Sequence, residues 1–144
     1  MSKPPLLYGD LEPGRTFEPF VLKITEQFVR QFCEAVGDRN PIYFDKQAAQ
    51  ESGFSKPVAP AAIAGIFGRR SYLERYAMPP GGILVGQEFE FTGPAYVGDE
   101  LTAIARVERR FEKNGKKFVA IGTEAVNQNG EVVGKVHFTA IWPK

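Results

Sequence analysis

Asp38, Asn40 and Tyr43 are the side chains best placed by type and spacing to do chemistry, all within Val36-Gly37-Asp38-Arg39-Asn40-Pro41-Ile42-Tyr43-Phe44-Asp45. A carboxylate can take a proton from water, an amide can orient its neighbours, and a phenol can donate a hydrogen bond. The same residues also describe a helix end. Gly37 suits the left-handed residue after a last turn, Asp38 and Asn40 can cap freed backbone groups, and Pro41 stops the helix from restarting. Both readings are open at this level.

Other reactive side chains are sparse. Cys33 is the only cysteine, which excludes an internal disulfide and a multi-cysteine metal site, and helical spacing places it on an apolar face, as core. His137, the only histidine, shares a strand face with Lys135 and Thr139, opposite Val136 and Phe138, so an exposed position is expected. Arg69 and Arg70 could meet an anion, but a solvated helix end with ordinary ion pairs explains them as well. No metal cluster, phosphate loop or dinucleotide motif is present, and no bound cofactor is implied.

The elements that must hold these residues follow from periodicity. Residues 15–25 alternate loosely around Phe17, Val21 and Ile24, with Pro19 interrupting, which suits an edge strand. From Thr25, a plausible N-cap, the stripe Phe28, Val29, Phe32, Cys33 and Val36 predicts a helix ending at Gly37. Asp45 caps a short second helix that Gly53 stops. Pro60 fits the first position of a third helix running to about Tyr76. Its first half, residues 61–68, is apolar on every side and so is expected to be buried, and its Ala and Gly content allows a sheet to approach closely. After Pro79-Pro80-Gly81-Gly82 the period becomes that of strands, with Gln87, Phe89 and Phe91 alternating with Glu88 and Glu90. Asn114-Gly115 and Asn129-Gly130 then join three strands into an antiparallel meander over about residues 100–143. Helices followed by antiparallel strands, with one all-apolar helix to cover, predict an α+β domain in which a curved antiparallel sheet wraps a central helix. The open edges of such a sheet favour pairing of two domains.

Composition agrees. A chain of 144 residues, 43% hydrophobic and 24% charged with a net charge of +1, is that of one soluble globular domain. Near-neutral charge gives no electrostatic case for nucleic acid, and no apolar run approaches the ~18 residues of a membrane span. The N-terminus lacks the apolar run of a signal peptide. A cytoplasmic protein is expected, with residues 1–12 as a flexible tail on a domain covering 1–144.

Three segments in order then carry a resemblance. Residues 37–45 match Gly-Asp-x-Asn-Pro-Ile-His-x-Asp, residues 53–61 match Gly-Phe-x-x-Pro-Val-Ala-His-Gly, and residues 91–101 match Phe-x-x-Pro-Val-x-x-Gly-Asp-x-Leu. The chain resembles the MaoC-like hydratase and dehydratase family of hotdog proteins, which includes the (R)-specific enoyl-CoA hydratases and (3R)-hydroxyacyl-ACP dehydratase subunits. Besides Ala95 in place of Val, the match departs at two places that bear on the chemistry. Tyr43 stands where the family has its catalytic His, and Pro60-Ala61 replaces His-Gly at the start of the central helix.

The resemblance implies reversible hydration of a trans-2-enoyl thioester carried on CoA or an acyl-carrier protein (ACP). Asp38 would hold and deprotonate water, Asn40 would orient its neighbours, and Tyr43 would stand in for the His. Backbone N–H groups at Ala61 and Ala62, beside Val58, would face the thioester oxygen. It implies three functions: a dehydratase or hydratase working with Tyr43, a non-catalytic acyl-binding subunit paired with an active hotdog chain, or, less favoured, a hotdog thioesterase. The thioesterase needs an acid on the central helix, and residues 61–68 have none. Either a homodimer or a heterodimer is expected, with no nucleic acid, membrane or metal involved.

Overall fold

The computed structural model describes residues 2–143. Strand β1 (Phe20–Lys23) leads into helix α1 (Glu26–Val36), a 3-10 turn (Pro41–Tyr43) and the short helix α2 (Lys46–Glu51). A second 3-10 turn (Ala61–Ile63) opens helix α3 (Ala64–Leu73), and four strands follow: β2 (Ile83–Phe91), β3 (Glu100–Lys113), β4 (Lys116–Val126) and β5 (Val132–Trp142). They form one sheet in the order β1-β3-β4-β5-β2, antiparallel throughout. Register shifts at Leu84/Gly86, Val107/Arg109 and Ala125/Val126 help it to curve. This is the curved-sheet α+β arrangement that periodicity predicts, with α3 as the helix in the concave face.

Close approach of α3 explains its small residues. A Cβ on Gly68 would lie 2.9 Å from Val136 Cγ1 and 3.2 Å from the Phe138 ring, so only glycine lets the helix sit this deep. Phe67, Tyr72, Val136, Phe138 and Trp142 fill the layer between helix and sheet, and all are buried. The β3–β4 turn places both Asn114 (φ 53°) and Gly115 (φ 73°) in the left-handed region, as a tight hairpin of primed type requires.

Three sequence expectations change. Residues 4–11 are not a flexible tail: Leu6 N donates to Ala77 O at 2.9 Å, Trp142 Nε1 donates to Leu6 O at 2.7 Å, and Leu6 and Leu11 are wholly buried. The third helix ends at Leu73 rather than Tyr76, because the Tyr76 ring turns away to pack edge-on against Phe17 at 6.1 Å and beneath Arg15. Its start is not buried on every side either. Ala61 and Ala62 are exposed, because the opening turn stands at the rim of a cavity.

The edge strand β2 carries Ile83, Leu84, Val85 and Phe91, each about half exposed. No helix among the described residues is long and apolar enough to cross a membrane.

Candidate functional site

The site forms where α1 stops. Thr25 Oγ1 caps the start of α1 by accepting from Phe28 N at 3.0 Å, and Gly37 ends it at φ 75°, with the Gly37 and Asp38 N–H groups both donating to Cys33 O. The chain then folds back through two side-chain caps. Asp38 Oδ1 accepts from Asn40 N at 3.2 Å, and Asn40 Oδ1 accepts from Ile42 N at 3.2 Å, which starts the turn holding Tyr43. The capping reading of Asp38 and Asn40 is therefore realised in the backbone, and its result is the placement of Tyr43.

Tyr43 lies close to Asp38 and to the buried Cys33. Burial, then the charge of Asp38, pushes the phenol above the ordinary tyrosine value, and burial and Asp38 likewise raise the Cys33 thiol. Both groups are protonated at neutral pH. A raised folded-state value means stability that is present below the unfolded phenol value near ~10 and is lost as pH rises through the folded one. In an ultraviolet tyrosinate titration, the component missing from Tyr43→Phe is expected to titrate above that value. A component at or below it would contradict the placement beside Asp38.

Tyr43 borders a cavity of about 440 Å³ that runs under the opening turn of α3 toward the sheet. Ile42, Val58, Phe67, Leu101 and Val133 form much of its wall, with Pro60 and Ala61 at the helix start. No charged side chain lines it. Its volume and apolar lining are those of a small-molecule site.

Main-chain ties fix this wall. Val58 N donates to Ile42 O at 3.1 Å, Ala59 N to Ala95 O at 2.7 Å, and Val97 N to Pro57 O at 3.0 Å, so residues 57–59 are held between the Tyr43 turn and the β2–β3 loop. No side chain caps the turn that begins at Ala61. Ile63 N donates to Pro60 O at 3.1 Å, so the Ala61 and Ala62 N–H groups and the positive helix end are what can meet an anion or a polarised carbonyl.

Of the six residues marked from sequence, the structure brings Tyr43, Val58 and Ala61 to the cavity. Asp38, Asn40 and Ala62 stand outside its lining. Sequence reasoning missed Phe54, which lies inside a matched segment, and Thr92-Gly93-Pro94-Ala95, which lie inside another. The quoted motifs themselves were the signal for both. His137 Nδ1 lies 2.7 Å from Glu108 Oε1 on the outer sheet face, away from the cavity, and Arg70 forms a bidentate pair with Glu74. Among the described residues no group of three metal-ligating side chains occurs.

Comparison with known proteins points the same way as the geometry. Residues 12–136 match a family model described as FAS1-like, dehydratase domain region. The mitochondrial 3-hydroxyacyl-acyl-carrier-protein dehydratase FERN of Solanum lycopersicum is 29% identical over 92% of this chain and 74% of its own length. Among solved structures, the R-hydratase PhaJ1 of Pseudomonas aeruginosa superposes with a TM-score of 0.82 at 27% identity, covering 99% of this chain and 90% of that one. The (3R)-hydroxyacyl-ACP dehydratase complex HadBC of Mycobacterium tuberculosis gives a TM-score of 0.79 at 26% identity, covering 90% and 96%.

Proposed function

The chain belongs to the FAS1-like dehydratase family of MaoC-like hotdog proteins, and from that premise we propose that it is the acyl-binding chain of a (3R)-hydroxyacyl-thioester dehydratase or enoyl-thioester hydratase. One observation carries this reading: the cavity is mostly apolar with no charged side chain in its lining, and the phenol at its border, Tyr43, is pushed above the ordinary tyrosine value by burial and Asp38. Hydration of an enoyl thioester needs a base for water, an acid for the carbon beside the carbonyl, and donors for the thioester oxygen. Ala61 N–H, at an uncapped helix start, suits the last of these. Tyr43 can donate a hydrogen bond. To act as a base at pH 7 its pKa would have to fall by about three units, about 4 kcal/mol, and its surroundings push it the other way.

On this reading the base comes from a second chain. The half-exposed apolar residues of the β2 edge offer a place for one, and the HadBC relative is itself a complex of two different chains. When isolated from its cell, the protein is expected in a complex with a second hotdog chain, and enoyl-thioester hydration is expected to follow the complex rather than the separated subunit.

A second reading, a self-sufficient dehydratase, is favoured by the proximity of Asp38 to Tyr43. The carboxylate accepts from Asn40 N through Oδ1 and lies beside the Tyr43 phenol, whose pKa it raises. Tyr43 would then relay a proton while Asp38 takes it. A thioesterase is disfavoured, since no carboxylate lines the cavity. The single buried thiol suits a reducing compartment, either the cytoplasm or an organelle like that of the tomato relative.

A further inference from the structure

Two polar groups of α3, Arg69 and Tyr72, have no part in the site around Tyr43. The neighbouring cations are occupied: Arg70 is held by Glu74 in a bidentate pair, and Lys3 Nζ donates to Leu73 O at 3.0 Å. Arg69 forms no ion pair among the described residues. Tyr72 is 5% exposed, and its hydroxyl has no hydrogen-bond partner among the described residues. Yet no side-chain oxygen among them is both sealed from solvent and unbonded, so this hydroxyl opens into a recess. Two recesses adjoin the ring, one around Arg15 and one that Arg69 borders. Burial pushes the phenol up and the charge of Arg69 acts against burial, which places the hydroxyl on the Arg69 side.

That recess holds about 190 Å³. Gly65, Arg69 and Tyr72 recur at helical spacing along one face of α3, and Gln87 and Phe138, register partners on β2 and β5, border the recess from the sheet. Gln87 is an exposed amide in a row that continues with Phe89 and Phe91. No carboxylate borders the recess. A guanidinium that can take two oxygens, a phenol O–H and an amide NH₂ are together the donor set for a carboxylate. The volume lies below the ~300 Å³ at which sites for drug-sized ligands begin, so the ligand is small. We propose that the recess binds a small carboxylate, with Arg69 as counter-ion, Tyr72 and Gln87 as hydrogen-bond donors, and Leu73 and Phe138 against its short apolar body. It shares no bordering residue with the cavity beside Tyr43. A free metabolite and the far carboxyl end of an acyl chain present the same group.

Calorimetry on the wild-type chain with acetate, pentanoate and glutarate, and with pentanamide as an uncharged counterpart, tests the assignment. Arg69→Gln is expected to weaken the best-bound carboxylate about tenfold, with its salt dependence flattened and pentanamide unchanged. The Arg69 side chain is exposed, so the fold should persist, and circular dichroism checks it. Tyr72→Phe is expected to weaken the same carboxylate about three- to tenfold without lowering the urea midpoint, since the hydroxyl has no protein partner to lose. Equal carboxylate binding by wild type and Arg69→Gln overturns the assignment, as does failure of the wild type to bind any of the three. A Tyr72→Phe protein with a lowered midpoint and intact binding overturns the phenol as a donor. Saturating the chain with the octyl thioether of N-acetylcysteamine distinguishes the sources: unchanged carboxylate affinity supports a free metabolite, and competition supports the end of an acyl channel.

Discussion

Replacing Tyr43 with histidine is expected to raise enoyl-thioester hydration by the isolated chain about 10²- to 10⁴-fold, the usual contribution of one acid–base partner. An imidazole has an ordinary pKa near ~6.5, so it can take a proton from water at neutral pH, where the phenol cannot. The surroundings are already arranged for it. The Asp38 carboxylate that pushes the phenol upward would do the same for an imidazolium, holding the ring's second nitrogen and stabilising the charge that develops. Histidine is also smaller than tyrosine, so the half-buried position accepts it without overpacking. Asp38→Asn added to Tyr43→His should abolish most of the gain, while Tyr43→Phe should leave the low starting rate within about a few fold. A well-folded Tyr43→His protein with an unchanged rate would show that the base is not what the site lacks.

Trp142→Ala is expected to destabilise the fold by about 3–5 kcal/mol, read as a shift in urea midpoint. The indole is 2% exposed, closes the end of the helix–sheet layer, and donates to Leu6 O at 2.7 Å. Trp142→Phe keeps most of the apolar burial but removes the donor, so it should cost about 1–2 kcal/mol and loosen the N-terminal segment first. Limited proteolysis near residues 4–11 would report that loosening. Resistance there equal to wild type would mean that the leucines alone hold the segment.

Residues 4–11 carry no local sign of their burial. Leu6 and Leu11 have no periodic neighbours and follow Pro4 and Pro5, the local signature of a tail. Their burial depends on Ala77 and Trp142, the latter 136 positions away. Where signals are local, they were legible: Thr25 and Gly37 as the caps of α1, Asp45 as the cap of α2, and Asn114-Gly115 as a hairpin turn all depend on a few adjacent residues.

The site was half legible, for the same reason. Tyr43, Val58 and Ala61 reach the cavity because their segments are tied to one another through the backbone. Asp38 and Asn40 were ambiguous because capping and catalysis ask for the same side chains, and the backbone bonds at 3.2 Å show the capping role to be occupied. The exposure of Ala61 and Ala62 could not be read from an all-apolar helix start. Composition describes which residues avoid water, not where a cavity opens beside them.

The proposed role as an acyl-binding chain that needs a partner is tested most directly by native mass spectrometry of the protein drawn from its own cell, with enoyl-CoA hydration measured on that sample before and after the chains are separated. The account predicts a mass equal to this chain plus a different hotdog chain, hydration by the complex, and a loss of about 10²-fold or more for this chain alone. A homodimer that hydrates the thioester as fast as the native sample would contradict it.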